Sequence, residues 1–296
     1  MAEASSDVRE RFPACRSILF VPGDRPDRYG KALAAGADAV CIDLEDAVAP
    51  AAKAGARDSV AAFLARREEP AATGADPGRA RRPPVVVRVN DPRSEEGARD
   101  AASVTGGPRP DAFVIPKVTD AREIVTAHRL LGEDIPLFPI IETAAGLEKA
   151  VQIGAASAAV AALMFGGFDL SAELGAEPQW EPLLYARSRV VHAAALSGLD
   201  TIDMPSRDFR HVSRLRAEAE KARRLGMTGK VAIHPAQIPV IHEVFTPSPG
   251  EVEQARRIVE ADRAAGGGAV SLSGRMVDRP VVEAARRLLE RAGRPP

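Results

Sequence analysis

Apolar residues gather in eight short runs along the chain, at residues 17–21, 39–44, 85–89, 112–115, 137–141, 162–165, 201–202 and 231–233. Runs of this length between turn signals read as strands. At or just past their ends stand Asp24, then Asp43 with Glu45 and Asp46, then Arg88, Lys117, Glu142, Asp169, Asp203 and His234. Helical periodicity appears between them at 25–35, 53–67, 120–131, 147–154 and 210–225, and Gly36, Gly132, Gly154, Gly198 and Gly226 fall where helices should stop. Strands alternating with helices predict parallel pairing, and eight such units predict a (β/α)₈ barrel of TIM type. In that architecture the C-terminal ends of all strands open onto one face, so polar residues far apart in sequence converge there. The pattern predicts an enzyme.

A barrel of roughly 250 residues leaves an appendage in a chain of 296. We expect the barrel over 12–247 and a C-terminal extension over 248–296. Within the extension, 248–265 predict a helix, Gly266, Gly267 and Gly268 a flexible link, and 270–296 a short apolar stretch followed by a helix. A glycine link before a patterned segment suits a lid or an oligomer contact, and a packed tail fits the same pattern. Residues 68–84, rich in Ala, Gly, Pro and Arg, predict a long loop on the N-terminal face, an insertion away from the chemistry. With 45% hydrophobic residues and a net charge of -1, the chain has no basic surplus for nucleic acid or an anionic membrane. Any anionic ligand must then be held by local charge. Cys15 and Cys41 support neither a disulfide framework nor a metal cluster. No apolar run approaches the roughly 20 residues of a membrane span, and residues 1–11 lack a signal core, so the cytoplasm is the expected address.

Glu142, closing Phe-Pro-Ile-Ile-Glu, and Asp169, in Gly-Gly-Phe-Asp-Leu, follow consecutive strands. Mg²⁺ retains several waters and needs only one or two protein carboxylates beside a chelating substrate, so the pair suits a divalent cation with open positions. Each carboxylate also suits a helix cap or a basic neighbour. Arg88 ends an otherwise apolar strand, where its fork of donors suits a carboxylate or a developing oxyanion; an ion pair with Asp43 or Glu45 is the structural alternative. Asp43, Glu45 and Asp46 either support the metal's waters and Arg88 or form a solvated turn. Lys117 invites a Schiff-base reading, but acidic surroundings favour a charged partner over a depressed pKa. His234, in Ala-Ile-His-Pro-Ala-Gln, suits loop orientation better than metal ligation, and the other histidines lack ligand spacing. Gly23, Gly166 and Gly167 permit close backbone approach to a ligand, although no Walker or dinucleotide fingerprint accompanies them.

Six segments in order extend the picture: Arg-Ser-Ile-Leu-Phe-Val-Pro-Gly at 16–23, Asp-Leu-Glu-Asp-Ala-Val at 43–48, Val-Arg-Val-Asn at 87–90, Ile-Ile-Glu-Thr at 140–143, Gly-Met-Thr-Gly-Lys-Val-Ala-Ile-His-Pro at 226–235 and Gly-Arg-Met-Val-Asp-Arg-Pro at 274–280. Together they resemble the citrate lyase beta subunit-like family within the HpcH/HpaI aldolase superfamily. The resemblance implies a barrel with a C-terminal helical lid and a Mg²⁺-dependent lyase of acyl thioesters, acting on malyl-CoA, citramalyl-CoA or citryl thioesters. Carried over by position, it implies Glu142 and Asp169 as metal ligands and Arg88 as the active-site arginine. Asp278 matches an aspartate that such lyases deliver on the lid from a neighbouring subunit, so a homotrimer or dimer of trimers is implied. Phe20, Pro22 and Arg25 match positions that approach CoA. Residues 167–171 are partly similar to the Asp-Leu-Ser segment of pyruvate-dependent class II aldolases, but the histidine those aldolases carry in the second-strand motif is absent from Asp43-Leu44-Glu45-Asp46.

The expected reaction is retro-Claisen cleavage of a 3-hydroxyacyl-CoA into an acyl-CoA and a 2-oxoacid. Arg88 would stabilise the developing negative oxygen and Asp278 would handle the enolate proton. The alternatives are a pyruvate aldolase without CoA, a citrate lyase beta subunit acting on an acyl-carrier-protein thioester, and a barrel without catalysis.

Overall fold

In the computed structural model, residues 15–68, 82–105, 107–264, 270–272 and 275–293 are described. The glycine link at 266–268, the first three residues of the expected barrel and most of the loop expected at 68–84 lie outside them. Eight parallel strands close a barrel in chain order: β1 (Ser17–Pro22), β2 (Ala39–Asp43), β3 (Val85–Arg88), β4 (Ala112–Ile115), β5 (Leu137–Ile141), β6 (Ala162–Phe165), β7 (Asp200–Asp203) and β8 (Gly229–Ala232), with β1 pairing back onto β8.

Strand parity decides what reaches the mouth, because successive side chains point to opposite faces. Ile18, Cys41, Val86, Val114, Ile140, Met164, Ile202 and Val231 pack together inside the barrel. Their neighbours Leu19, Val40, Ile42, Val85, Val87, Phe113, Ile115, Ile141 and Leu163 form the larger core under the helices. Counting two residues onward from the inward set places Phe20, Asp43, Arg88 and Glu142 on the inner wall at the C-terminal face. The β2–β3 register sets Asp43 directly beside Arg88.

Parity also corrects one expectation. Ile202 faces the interior, so Asp203 points outward, fully buried against the helix layer. There it accepts Lys230 Nζ at 2.7 Å and Arg187 Nε at 3.0 Å, and it belongs to the scaffold.

The helices are α1 (Tyr29–Leu33), α2 (Lys53–Glu68), α3 (Glu95–Thr105), α4 (Ala121–Leu131), α5 (Ala144–Glu148), α6 (Ala150–Gly154), α7 (Gly167–Leu174), α8 (Leu184–Ser197), α9 (Val212–Leu225), α10 (Ile238–Phe245), α11 (Pro249–Ala264) and α12 (Arg279–Gly293). The single helix expected at 25–35 is a 3₁₀ turn at Pro26–Arg28 followed by the short α1. Residues 147–154 belong to two short helices that meet at Lys149. Gly36, Gly132, Gly198 and Gly226 do take positive φ, whereas Gly154 ends α6 without it and Gly175 supplies the left-handed cap of α7.

Beyond the barrel, α11 and α12 pack through Ala255, Val259, Ala285, Leu288 and Leu289. The expected apolar stretch before the last helix is an antiparallel pair, β9 (Val270–Leu272) with β10 (Arg275–Val277). The C-terminal end of α12 shares a cavity with Cys15, Arg16, Asp200 and Thr228, residues that precede or begin β1, β7 and β8. That end therefore lies on the N-terminal side of the barrel, opposite the mouth. Cys15 and Cys41 are free and buried, and burial pushes both thiols up. Among the described residues no helix is long and apolar enough to cross a membrane.

Candidate active site

Asp43 and Arg88 form the centre of the inner wall. The Asp43 carboxylate accepts Arg88 Nε at 2.7 Å and Nη2 at 2.6 Å, a two-point pairing that fixes the guanidinium plane. It also accepts the N–H groups of Glu45 at 2.9 Å and Ala47 at 3.1 Å. Its acceptor capacity is taken up within the protein, so Asp43 orients Arg88 and has little left for a metal's waters. Arg88 Nη1 stands 2.9 Å from Glu45 Oε2 without hydrogen-bonding geometry, and that buried oxygen has no hydrogen-bond partner. The ion pair foreseen as the structural alternative is thus realised with both acids. Burial opposes the Arg88 charge, but Asp43 and Glu45 outweigh it and hold the cation firmly protonated. The guanidinium lies 5.3 Å from the centre of the Phe20 ring, which lines the wall beneath it.

Glu142 follows β5 and is 2% exposed. Its Oε1 accepts the Lys117 N–H at 2.7 Å. Burial pushes its carboxyl up to about 8; the Lys117 N–H works against this, while the charges of Asp169 and Glu45 add to it. Asp169, half-buried, lies in the first turn of α7. Neither acid is a helix cap. Thr143 Oγ1 caps α5 by accepting the Gly146 N–H at 2.9 Å, and the N-cap of α7 is Gly166.

Among the described residues, Asp43, Glu45 and Asp46 share the cations Arg88 and Lys117, whereas Glu142 and Asp169 have no ion pair. A divalent cation offsets the charge of such a pair of acids. Among the described residues no three or more His, Cys, Asp or Glu groups form a ligand cage. This arrangement fits Mg²⁺, which takes few protein oxygens and keeps its waters, better than Zn²⁺, which takes a closed N/S set.

Lys117 is committed to acids. Its Nζ donates to Glu45 Oε1 at 2.5 Å and Asp46 Oδ1 at 3.2 Å. Burial disfavours its charge, but the Glu45 and Asp46 contacts prevail and raise the pKa, the opposite of what a Schiff-base amine needs. Asp46 is exposed and bridges this lysine to solvent. His234 orients a loop: its Nδ1 accepts the Ala236 N–H at 3.1 Å, and its ring stacks on Phe209 at 4.8 Å.

The three glycines approach this chain's own atoms. A Cβ on Gly166 would overlap the Glu142 side chain, one on Gly167 would overlap Met204 Sδ, and one on Gly23 would lie 2.7 Å from the Asp43 carbonyl oxygen. Pro22 is half-buried at the end of β1. Arg25 pairs with Asp27 through Nε and Nη2, both at 3.0 Å. Asp278 is exposed just before α12, where its Oδ1 accepts the Val281 N–H at 3.4 Å.

A supporting layer escaped the sequence reading. Lys53 Nζ donates to the carbonyls of Leu44 at 2.9 Å and Glu45 at 3.0 Å and to Asn90 Oδ1 at 2.7 Å, clamping the acidic turn. Asn90 is held in turn by Asp100, itself paired with Arg57. The available signal was Asn90, two residues past Arg88 and so of the same strand parity.

Residues 16–235 match the family model for HpcH/HpaI aldolase/citrate lyase, and residues 183–294 match a family of carbon-carbon bond lyases of the TIM-barrel fold. The chain is similar to a citrate lyase subunit beta-like protein of Deinococcus radiodurans, with 37% identity covering 93% of this chain and 96% of the relative. It is 36% identical to a (3S)-malyl-CoA thioesterase of Cereibacter sphaeroides, covering 94% of each. Among solved structures it resembles CitE from Mycobacterium tuberculosis in complex with magnesium, acetoacetate and coenzyme A. The TM-score is 0.77 at 33% identity, over 96% of this chain and 99% of that one.

The raised Glu142 pKa sets a pH dependence. A carboxyl that holds its proton more tightly folded than unfolded stabilises the metal-free protein at low pH, and that contribution is lost as pH rises from the ordinary carboxylate range toward about 8. A cation binding there must displace the proton. At pH 7, calorimetry of Mg²⁺ binding in buffers of different ionisation enthalpy should detect release of about one proton per ion, and Glu142→Gln should abolish it. Binding without proton release would place the ion elsewhere.

Proposed function

Because this chain belongs to the HpcH/HpaI aldolase/citrate lyase family and is a carbon-carbon lyase, we propose that it cleaves a 3-hydroxyacyl-CoA of malyl-, citramalyl- or citryl-CoA type into an acyl-CoA and a 2-oxoacid. The observation that carries this reading is Glu142, a buried carboxyl pushed up to about 8 by burial and by the charge of Asp169, at the same mouth where Asp43 fixes Arg88. Glu142 and Asp169 would hold Mg²⁺, which when bound supplies Lewis-acid stabilisation of oxygen charge on the substrate. A CoA-linked substrate agrees with the coenzyme A in the M. tuberculosis complex and with the CoA thioester named for the C. sphaeroides relative.

Cleavage passes the substrate hydroxyl proton to solvent, leaves the carbinol carbon as the 2-oxoacid carbonyl, moves the carbon-carbon bonding pair onto the thioester enolate and returns a proton to its α-carbon. Arg88, unable to lose its charge and held planar by Asp43, would stabilise the oxygen that becomes negative. Phe20 and Pro22 would form the apolar wall along which the CoA arm enters, and Arg25 would reach its phosphates by exchanging Asp27 for them. Asp278 would return the proton to the α-carbon. The far end of α12 lines a cavity with residues that precede or begin β1, β7 and β8, which agrees with a lid that acts on another copy. A second copy would supply Asp278, in a trimer or dimer of trimers whose C-terminal extension acts as a lid.

The test is purified protein with malyl-CoA, citramalyl-CoA and citryl-CoA, following oxoacid and acyl-CoA separately, with Mg²⁺ and with EDTA. At least one substrate should yield both products, EDTA should stop the reaction, and Glu142→Gln or Asp169→Asn should lower kcat by about 100-fold or more. Turnover unaffected by EDTA, or activity confined to free aldehydes and pyruvate, would refute the reading. Free CoA without oxoacid would make the chain a thioesterase.

Sharing of the site between copies has its own test. Asp278→Asn and Glu142→Gln should each be inactive alone while remaining folded. Mixed under conditions that exchange subunits, they should recover part of the activity, because some sites then contain both groups. Verified exchange with no recovery would show that Asp278 does not act across copies.

A further inference from the structure

Lys117 is neither a metal ligand nor a reacting group in that reading, yet its backbone and its side chain both serve the acids of the site. It is the one non-glycine residue with positive φ among the described residues, at 53°. A left-handed backbone at lysine persists only where the surroundings over-determine it, and here they do. The Lys117 N–H is directed at Glu142 Oε1, 2.7 Å away. The next residue's carbonyl, on Val118, accepts Thr143 Oγ1 at 3.2 Å, and Thr143 adjoins Glu142 in sequence. The Val118 carbonyl also comes so close to Gly146 that a Cβ there would overlap it. The loop after β4 is therefore latched to the end of β5 on both sides of the strained residue. Glycine would occupy this backbone without cost, so the lysine side chain brings something glycine lacks: an ammonium on Glu45 Oε1 at 2.5 Å and Asp46 Oδ1 at 3.2 Å.

We propose that Lys117 is a dual positioning residue, its left-handed main-chain N–H fixing the Glu142 carboxylate in the orientation that binds the cation and its ammonium holding Glu45 in place beside Arg88. The proposal rests on the reading that Glu142 binds Mg²⁺. Relaxing φ into the ordinary region turns the peptide plane and takes the N–H off Glu142, leaving a buried carboxylate free to rotate. A group that orients a metal ligand in this way typically changes metal affinity by about 10–100-fold when lost.

The experiment measures Mg²⁺ affinity by calorimetry on the full chain carrying Lys117→Gly, Lys117→Asn, Lys117→Ala or Lys117→Val. All four remove the ammonium, so differences among them report the backbone alone. Gly and Asn, which tolerate the left-handed region, should bind Mg²⁺ nearly as the unaltered protein does; Ala should bind more weakly; Val should lose about 10–100-fold. Should Val fail to fold, the Gly and Ala pair still decides the order. Equal affinity across the series would overturn the main-chain half. For the side-chain half, Lys117→Gly should lower kcat while Mg²⁺ affinity is retained, and an unchanged kcat would overturn it. Glu142→Gln separates the premise from the proposal. If that variant binds Mg²⁺ as the unaltered chain does, the metal assignment itself fails; if it loses binding while the Lys117 series stays uniform, only the role of Lys117 falls.

Discussion

Glu142 stands at the top of an apolar barrel with Asp169 and Glu45 as electrostatic neighbours, and burial is the largest force pushing its carboxyl up to about 8. An ionised carboxylate in that position needs a compensating charge, because moving it out of water is costly and like charges nearby raise the cost further. The charge of Arg88 reaches it, but Asp43 already holds two of that side chain's nitrogens. Lys117 is tied to Glu45 and Asp46. The protein therefore balances most of the acids at the mouth and leaves Glu142 and Asp169 short of positive charge. That imbalance gives a divalent cation a reason to bind, and it places the cation beside an arginine fixed for oxygen charge.

The rest of the molecule holds this imbalance in place. Adjacent strands deliver Asp43 and Arg88 in register, and Gly166 leaves the room that the Glu142 side chain occupies. Lys53, Asn90 and Asp100 fix the turn that carries Glu45. A second buried network, Asp203 with Lys230 and Arg187, lies outside the strands. Arg187 also lies over the rings of Phe165 and Trp180, at 4.9 and 4.8 Å, and one of its nitrogens has no hydrogen-bond partner. Buried pairs of this kind add little net stability, but losing one partner costs about 3–5 kcal/mol. Here the network fixes the end of β7, since Lys230 Nζ also donates to the Met204 carbonyl at 2.7 Å, and Met204 packs against Gly167 at the start of the helix bearing Asp169.

The barrel was legible because each strand is a short apolar run and each helix between them has a stop. Asp43, Arg88 and Glu142 stood out as charged residues at or just past the ends of apolar runs, and their strand parity puts them on the inner wall. Asp203 stood in the same series at the strand ends, but it has the opposite parity and points into the helix layer. The helices α3 and α8 had not been singled out; the buried face of α8 consists of small residues, Ala186, Ala193 and Ala194, with Val190 and the charged Arg187, so its apolar stripe is faint. The left-handed backbone of Lys117 was not legible at all, since nothing local favours it and the contacts that impose it come from β5 and α5. Residue type alone likewise gave no sign that Gly166 and Gly167 make room for this chain's own side chains.

The central claim is that the charge imbalance at the mouth is a cation site formed by Glu142 and Asp169. Its most direct test is anomalous diffraction from crystals soaked in Mn²⁺, an oxygen-seeking ion that replaces Mg²⁺ in such sites. The account predicts one strong anomalous peak bonded to carboxylate oxygens of both Glu142 and Asp169, on the same side of the mouth as Arg88, and its loss in Glu142→Gln crystals. A mouth without manganese, or a peak that persists in Glu142→Gln, would contradict it.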